Sequence, residues 1–158
     1  MRTSRIYLET TLFNYYFEPE REAHADTVKL FEEIKEGKYQ AYTSVYAIRE
    51  LLKASGERAQ KMISLISDYG ITILEATEEA EALAATYQEQ GIIPPGSTVD
   101  AQHIAIASTN DLDMIISLNF KHIVRKKTIE LTELVNIREG LHKIGIYTPM
   151  EVVDREYE

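Results

Sequence analysis

Residues 97–109, STVDAQHIAIAST, and 114–118, MIISL, decide the fold. Ala101, Ile104, Ala105, Ile106 and Ala107 predict a helix over about 98–110 that is apolar nearly all round, hence central. Met114 to Leu118 reads as a buried strand a few residues later. A helix feeding a buried strand through a short turn is the unit of a parallel sheet.

The same alternation extends outward. Upstream, Pro94, Pro95 and Gly96 break the chain. Before them Ala80, Leu83, Ala84 and Tyr87 recur at helical spacing, with Thr77 placed to cap. ITIL at 71–74 is strand-like. Met62, Ile63, Leu65 and Ile66 mark a helix ending near Gly70. Ser44 can cap a helix bearing Val45, Ile48, Leu51 and Leu52, after a strand over Tyr39–Thr43. Val28, Leu30, Phe31 and Ile34 mark a helix stopping at Gly37, and a helical stretch through Tyr15 and Tyr16 follows a short strand at Ile6–Leu8. Downstream, Lys121 to Lys127 is a basic loop or helix start before a last helix near 129–139. Strands alternate with helices throughout, which predicts an α/β fold: a three-layer α/β/α sandwich around a mostly parallel sheet.

Composition sets the limits. The chain has 158 residues, 44% hydrophobic and 27% charged, which suits one globular domain. Residues 1–150 are expected to form it, leaving 151–158 as an acidic tail, mobile at its tip. Lys and Arg number 17 against 26 Asp and Glu, a net charge of −9. That argues against coating nucleic acid by bulk positive charge, though not against a metal site with a local basic patch. Cysteine is absent, so thiolate metal sites and thiol nucleophiles are excluded. No signal-peptide pattern opens the chain, and no stretch of about 18 apolar residues suggests a membrane helix. A soluble cytoplasmic domain is expected.

In parallel sheets, sites lie beyond the carboxyl ends of the strands. Glu9 ends the first strand, followed by Thr10 and Thr11. Glu50 lies on the helix after the second strand, Asp100 opens the central helix, and Asn119 follows MIISL. Carboxylates brought together repel unless a cation joins them. Hard oxygen ligands suit Mg²⁺ or Mn²⁺, which serve phosphodiester hydrolysis. Glu9, Glu50 and Asp100 are therefore the candidate metal ligands, and Asn119 a neutral ligand or an orienter of water. Thr10, Lys121, His122, Arg125 and Lys126 are candidates to hold substrate near the cleft mouth.

Singly, each residue has a plainer explanation. Asp100 follows Ser97 by three and can complete a capping box. Glu50 can be a solvated helix residue or a partner of Arg49 or Lys53. Asn119 is a common turn residue. His103 reads as a satisfied core or rim histidine, His122 as a capping residue, and Lys121–Lys127 as a solvated loop. Glu9 is the hardest to dismiss, because an acid closing an apolar strand needs a partner.

RIYLETTLF, TSVYAIREL, STVDAQHIAIAST and DMIISLNFKHIV, in this order, resemble the PIN domain family, in particular members related to the VapC toxins of toxin–antitoxin pairs. The resemblance implies a parallel sheet between helices and an acidic Mg²⁺ or Mn²⁺ site that cuts RNA. It also implies a small antitoxin partner and a homodimer. The four acidic positions of the pattern fall on Glu9, Glu50, Asp100 and Asn119, and its hydroxyl neighbour on Thr10. Glu9 stands where Asp is usual, and so does Asn119. A catalytically weak or inactive PIN-like module binding RNA or a protein is therefore the alternative. A phosphatase or a nuclease acting on DNA flaps is a third possibility for such a cleft.

Overall fold

The computed structural model describes residues 2–154. Five strands form one sheet in the order β3-β2-β1-β4-β5, every pairing parallel. They are β1 (Ser4–Leu8), β2 (Tyr39–Ser44), β3 (Thr72–Leu74), β4 (Met114–Ile116) and β5 (Gly145–Tyr147). The helices are α1 (Thr10–Tyr15), α2 (His24–Lys35), α3 (Val45–Leu51), α4 (Gly56–Asp68), α5 (Glu78–Glu89), α6 (Thr98–Thr109), α7 (Lys126–Arg138) and α8 (Pro149–Val152). The expected three-layer α/β/α sandwich is what forms.

Alternation along β1 builds the layers. Successive strand side chains point to opposite faces. Ile6 and Leu8 pack with Leu12, Phe13, Leu30, Phe31 and Met62 from the helices of one face. Tyr7 points the other way, among Tyr87, Ala101, Ile104 and Ile115. All three β1 residues are fully buried, as a central strand covered on both faces requires. Helix α6 is the apolar rod of the second face, with Ala101, Ile104, Ala105, Ile106 and Ala107 fully buried. Each fully buried Ile contributes about 1.5–3 kcal/mol, so this packing outweighs the weak propensity of isoleucine for helix.

Local signals held at two caps. Ser44 accepts from the Ala47 N–H and Thr77 from the Ala80 N–H. Four helices, α2, α4, α5 and α7, are followed by Gly37, Gly70, Gly91 and Gly140, all with positive φ, where a glycine avoids the Cβ strain of the left-handed region. Other expectations need correction. The Ser97 side chain makes no cap bond: the Asp100 N–H donates to the Ser97 backbone carbonyl (3.1 Å), and the Asp100 carboxylate, the other half of a capping box, is engaged elsewhere. β4 stops at Ile116, short of Leu118, and Leu52 lies just past α3 and is exposed. The Lys121–Lys127 stretch is the expected loop and helix start, but α7 begins at Lys126 and not near 129. β5 and α8 carried no periodic signal, since β5 has three residues with only Ile146 buried.

The first half of the expected tail is docked. Tyr39 Oη donates to the Val152 carbonyl (2.6 Å), the Asp154 N–H donates to Glu33 Oε2 (2.9 Å), and Val153 is buried. Residues 155–158, the tip expected to be mobile, lie outside the described residues.

Candidate active site

The strand order reverses direction around β1, so the crevice beyond the carboxyl ends of β1 and β4 is a topological switch point, where ligands of such sheets bind. Glu9 sits there as the residue between β1 and α1. Its backbone N–H continues the ladder onto the Ile116 carbonyl (3.1 Å), which holds it against β4. Its Oε1 accepts from Thr11 Oγ1 (2.5 Å) and Ser117 Oγ (2.7 Å). Burial pushes the Glu9 carboxyl above the usual carboxylate range, against the opposing pull of nearby His103 and the two hydroxyls. A carboxylate kept this dry needs a positive neighbour to stay ionised.

Glu50 reaches the same place from α3. Its Oε1 accepts from Thr10 Oγ1 (2.5 Å) and from His103 Nε2 (2.6 Å). Burial alone would raise its pKa, but the His103 hydrogen bond and charge, helped by Thr10, bring it below the ordinary value. His103 is fully buried on α6. Burial would lower its pKa, yet the bond to Glu50 and the charges of Glu9, Glu50 and Asp100 raise it. One ligand atom from each of Glu9, Glu50 and His103 lies within 4.8 Å of the others.

Asp100 stands next to this group rather than inside it. Its Oδ1 accepts from Asn119 Nδ2 (3.1 Å), and its Oδ2 pairs with His122 Nδ1 (2.8 Å). Glu50, Asp100 and His122 line a single cavity of about 360 Å³ with residues 96–99, the end of the turn and the start of α6. Asn119 is a turn residue: its Oδ1 accepts the His122 N–H (3.0 Å), and its amide holds Asp100. That oxygen thus accepts one backbone N–H, and Asn119 is not among the residues that line the cavity.

The remaining candidates separate. Thr10 is buried, and its hydroxyl serves Glu50 instead of facing the cleft mouth. Lys121, Arg125, Lys126 and Lys127 are all exposed, on the loop and first turn that His122 ties to Asp100. Arg125 steadies the loop through the Lys121 carbonyl (3.2 Å), and Lys126 lies 3.8 Å from Glu130.

Three contributors were missed. His103 is satisfied, as expected, but its partner is an acid of the site. Its spacing of three from Asp100 on one helix was the available signal. Ser117 clamps Glu9, which its place between the strand and Asn119 could have shown. Tyr7, bonded to His103 Nδ1 (2.5 Å) and Ser44 Oγ (2.6 Å), lies inside the short strand expected at Ile6–Leu8, where nothing nearby in the chain marks it.

An all-parallel sheet between helices, with carboxylates gathered at the switch point, defines a PIN-like α/β/α domain. Solved structures agree on the fold. VapC20 of Mycobacterium tuberculosis, a toxin that cleaves the sarcin–ricin loop, matches with a TM-score of 0.53 and 15% identity over 70% of this chain and 86% of that one. VapBC2 of Rickettsia felis, bound to a DNA fragment from its promoter, matches with a TM-score of 0.56 and 12% identity, covering 91% and 98%. VapBC-1 of nontypeable Haemophilus influenzae matches with a TM-score of 0.55 and 16% identity, covering 92% and 98%. No family model and no curated relative matches the sequence. Among the described residues, no helix is long and apolar enough to cross a membrane.

Proposed function

We propose that this protein is a Mg²⁺- or Mn²⁺-dependent endoribonuclease, the cytoplasmic toxin of a toxin–antitoxin pair with a small protein antitoxin as its partner. The observation that carries the proposal is the meeting of Glu9 and Glu50, from two separate elements, at the switch point of a fold shared with VapC toxins.

The donor set suits a hard divalent ion. Glu9 and Glu50 each have one oxygen, Oε1, clamped by two donors, so the carboxylates are oriented before any ion arrives. They are the residues that would hold the ion, with Asp100 closing the adjoining cavity. Bound there, such an ion would lower the pKa of a coordinated water and stabilise charge on a phosphate ester. Around it, Thr11 and Ser117 orient Glu9, while Thr10 orients Glu50. His122 and Asn119 hold Asp100. The exposed side chains of Lys121, Arg125 and Lys126 supply positive charge for a phosphate backbone on a chain whose net charge is −9.

Cleavage of RNA by the wild type, Glu9→Ala and Asp100→Asn in Mn²⁺ tests the proposal. Loss of activity in both variants supports it, and equal residual activity in all three points to a contaminant and overturns it.

One observation favours the non-catalytic module instead. Asn119 brings an amide to the position of a fourth carboxylate, and that amide is bonded within the turn. Calorimetry that finds no Mg²⁺ or Mn²⁺ binding at millimolar concentration, together with retained RNA binding, would select this second function.

A further inference from the structure

We propose that His103 and Tyr7 form a buried positioning relay that holds Glu50 in its working orientation. This rests on the nuclease assignment above. The relay runs inward from the cavity: Glu50 Oε1 to His103 Nε2 (2.6 Å), His103 Nδ1 to Tyr7 Oη (2.5 Å), Tyr7 Oη to Ser44 Oγ (2.6 Å). Ser44 ends it by accepting the Ala47 N–H at the start of α3, the helix that carries Glu50. The relay therefore closes on its own helix, through β1, α6 and the end of β2.

Geometry gives His103 a supporting part and not that of a metal ligand. A carboxylate only accepts, so Nε2 carries a proton toward Glu50. That proton occupies the lone pair a metal would use. Nδ1 is taken by Tyr7 on the other side. Both ring nitrogens are engaged, and His103 and Tyr7 are each fully buried, so neither side chain meets solvent. The Glu50 side chain is 29% exposed and faces the cavity. Outer partners that orient ligating groups shift metal affinity or activity by about 10–100-fold when removed. Tyr7 reaches this position because β1 alternates: its neighbours Ile6 and Leu8 point into the opposite layer, while its ring enters the α6 layer.

Four proteins test the relay: wild type, Tyr7→Phe, His103→Gln and His103→Leu, each checked for folding by circular dichroism. The first measurement is proton NMR of the metal-free proteins. Wild type should show an imidazole N–H resonance protected from exchange, assigned by its absence in His103→Gln and altered in Tyr7→Phe. If wild type has no protected imidazole N–H on His103, the relay is overturned whatever the protein does.

The second measurement is Mn²⁺ affinity by calorimetry, with kcat and KM for RNA cleavage. His103→Leu should weaken Mn²⁺ binding and kcat by about 10–100-fold with KM for RNA unchanged. Tyr7→Phe should lose less, and His103→Gln should recover part of the loss, since its amide can place an N–H near the Nε2 position. Affinity and kcat equal to wild type in His103→Leu and Tyr7→Phe overturn the relay and leave the nuclease assignment standing. A wild type that neither binds Mn²⁺ nor cuts RNA overturns the nuclease assignment, and the relay falls with it.

Discussion

Asn119→Asp separates the metal-free protein from the metal-bound one. Asn119 Nδ2 donates to Asp100 Oδ1 across 3.1 Å, and the Asp100 side chain is 16% exposed. The substitution deletes that donor and sets a second carboxylate against the first. Losing the hydrogen bond costs about 1 kcal/mol. Two unit charges about 4 Å apart at an effective dielectric of about 20 repel by about 4 kcal/mol. Protonating one ordinary aspartate at pH 7 costs about the same, which caps the penalty. Rotation of the new side chain toward the cavity relieves part of it, so we expect a net loss near about 2 kcal/mol. For a domain of this size that lowers Tm by about 4–8 °C. The assay is thermal unfolding in EDTA at neutral pH, repeated near pH 4 and again with Mn²⁺. Near pH 4 the gap should shrink, because one carboxyl of the pair takes up a proton. With Mn²⁺ a hundredfold above Kd, binding adds about 2.7 kcal/mol. Wild type gains as much at its own hundredfold excess, so the Tm gap closes only as far as the variant binds Mn²⁺ more tightly, which we expect together with faster RNA cleavage. An unchanged Tm in EDTA would show that residues 100 and 119 do not touch. An unchanged Kd for Mn²⁺ would show that position 119 lies outside the metal's surroundings.

Three further outcomes follow from the geometry. Glu9→Gln keeps acceptor oxygen for Thr11 and Ser117 but removes a charge that burial disfavours. In EDTA it should unfold at no lower temperature than wild type, while Mn²⁺ binding by calorimetry falls at least tenfold. The pH dependence of metal-free stability has a definite sign. His103 and Glu9 both have raised folded-state pKa values, so the native state binds more protons than the unfolded one. Their contribution is full below the unfolded values and is lost as pH rises through the folded ones; for His103 the loss starts above about 6.5. Glu50, whose pKa is lowered, contributes above its unfolded value and loses that contribution in acid. Urea unfolding in EDTA should therefore show wild type weakening from pH 6 to pH 9, with the His103 part of that loss absent in His103→Leu and the Glu9 part remaining; a wild type that strengthens over that range contradicts the assignment. Finally, buried Asn136 accepts from Tyr87 Oη (2.5 Å) and donates to Ser108 Oγ (2.9 Å), away from the cavity. Asn136→Ala leaves these hydroxyls short of partners and should cost about 1–3 kcal/mol by urea unfolding, with Mn²⁺ affinity unchanged.

Helix and strand periods, turn residues and the caps at Ser44 and Thr77 act within a few residues, and at that range the sequence determined most of the fold. The near-continuous apolar face of residues 101–107 required a central helix, and the acid closing a buried strand at Glu9 required a polar partner. β5 and α8 were silent because an edge strand with one buried residue leaves no period to detect. Only the tertiary structure decided which polar groups meet. Tyr7, His103 and Ser117 entered the acid site through contacts spanning 37 to 108 positions along the chain, set by how β1, α6 and β4 pack. Asp100 went to Asn119 and His122, and not to a capping box, for the same reason. A side chain's residue type states which bonds it can form, and the packed neighbours determine which of them it makes.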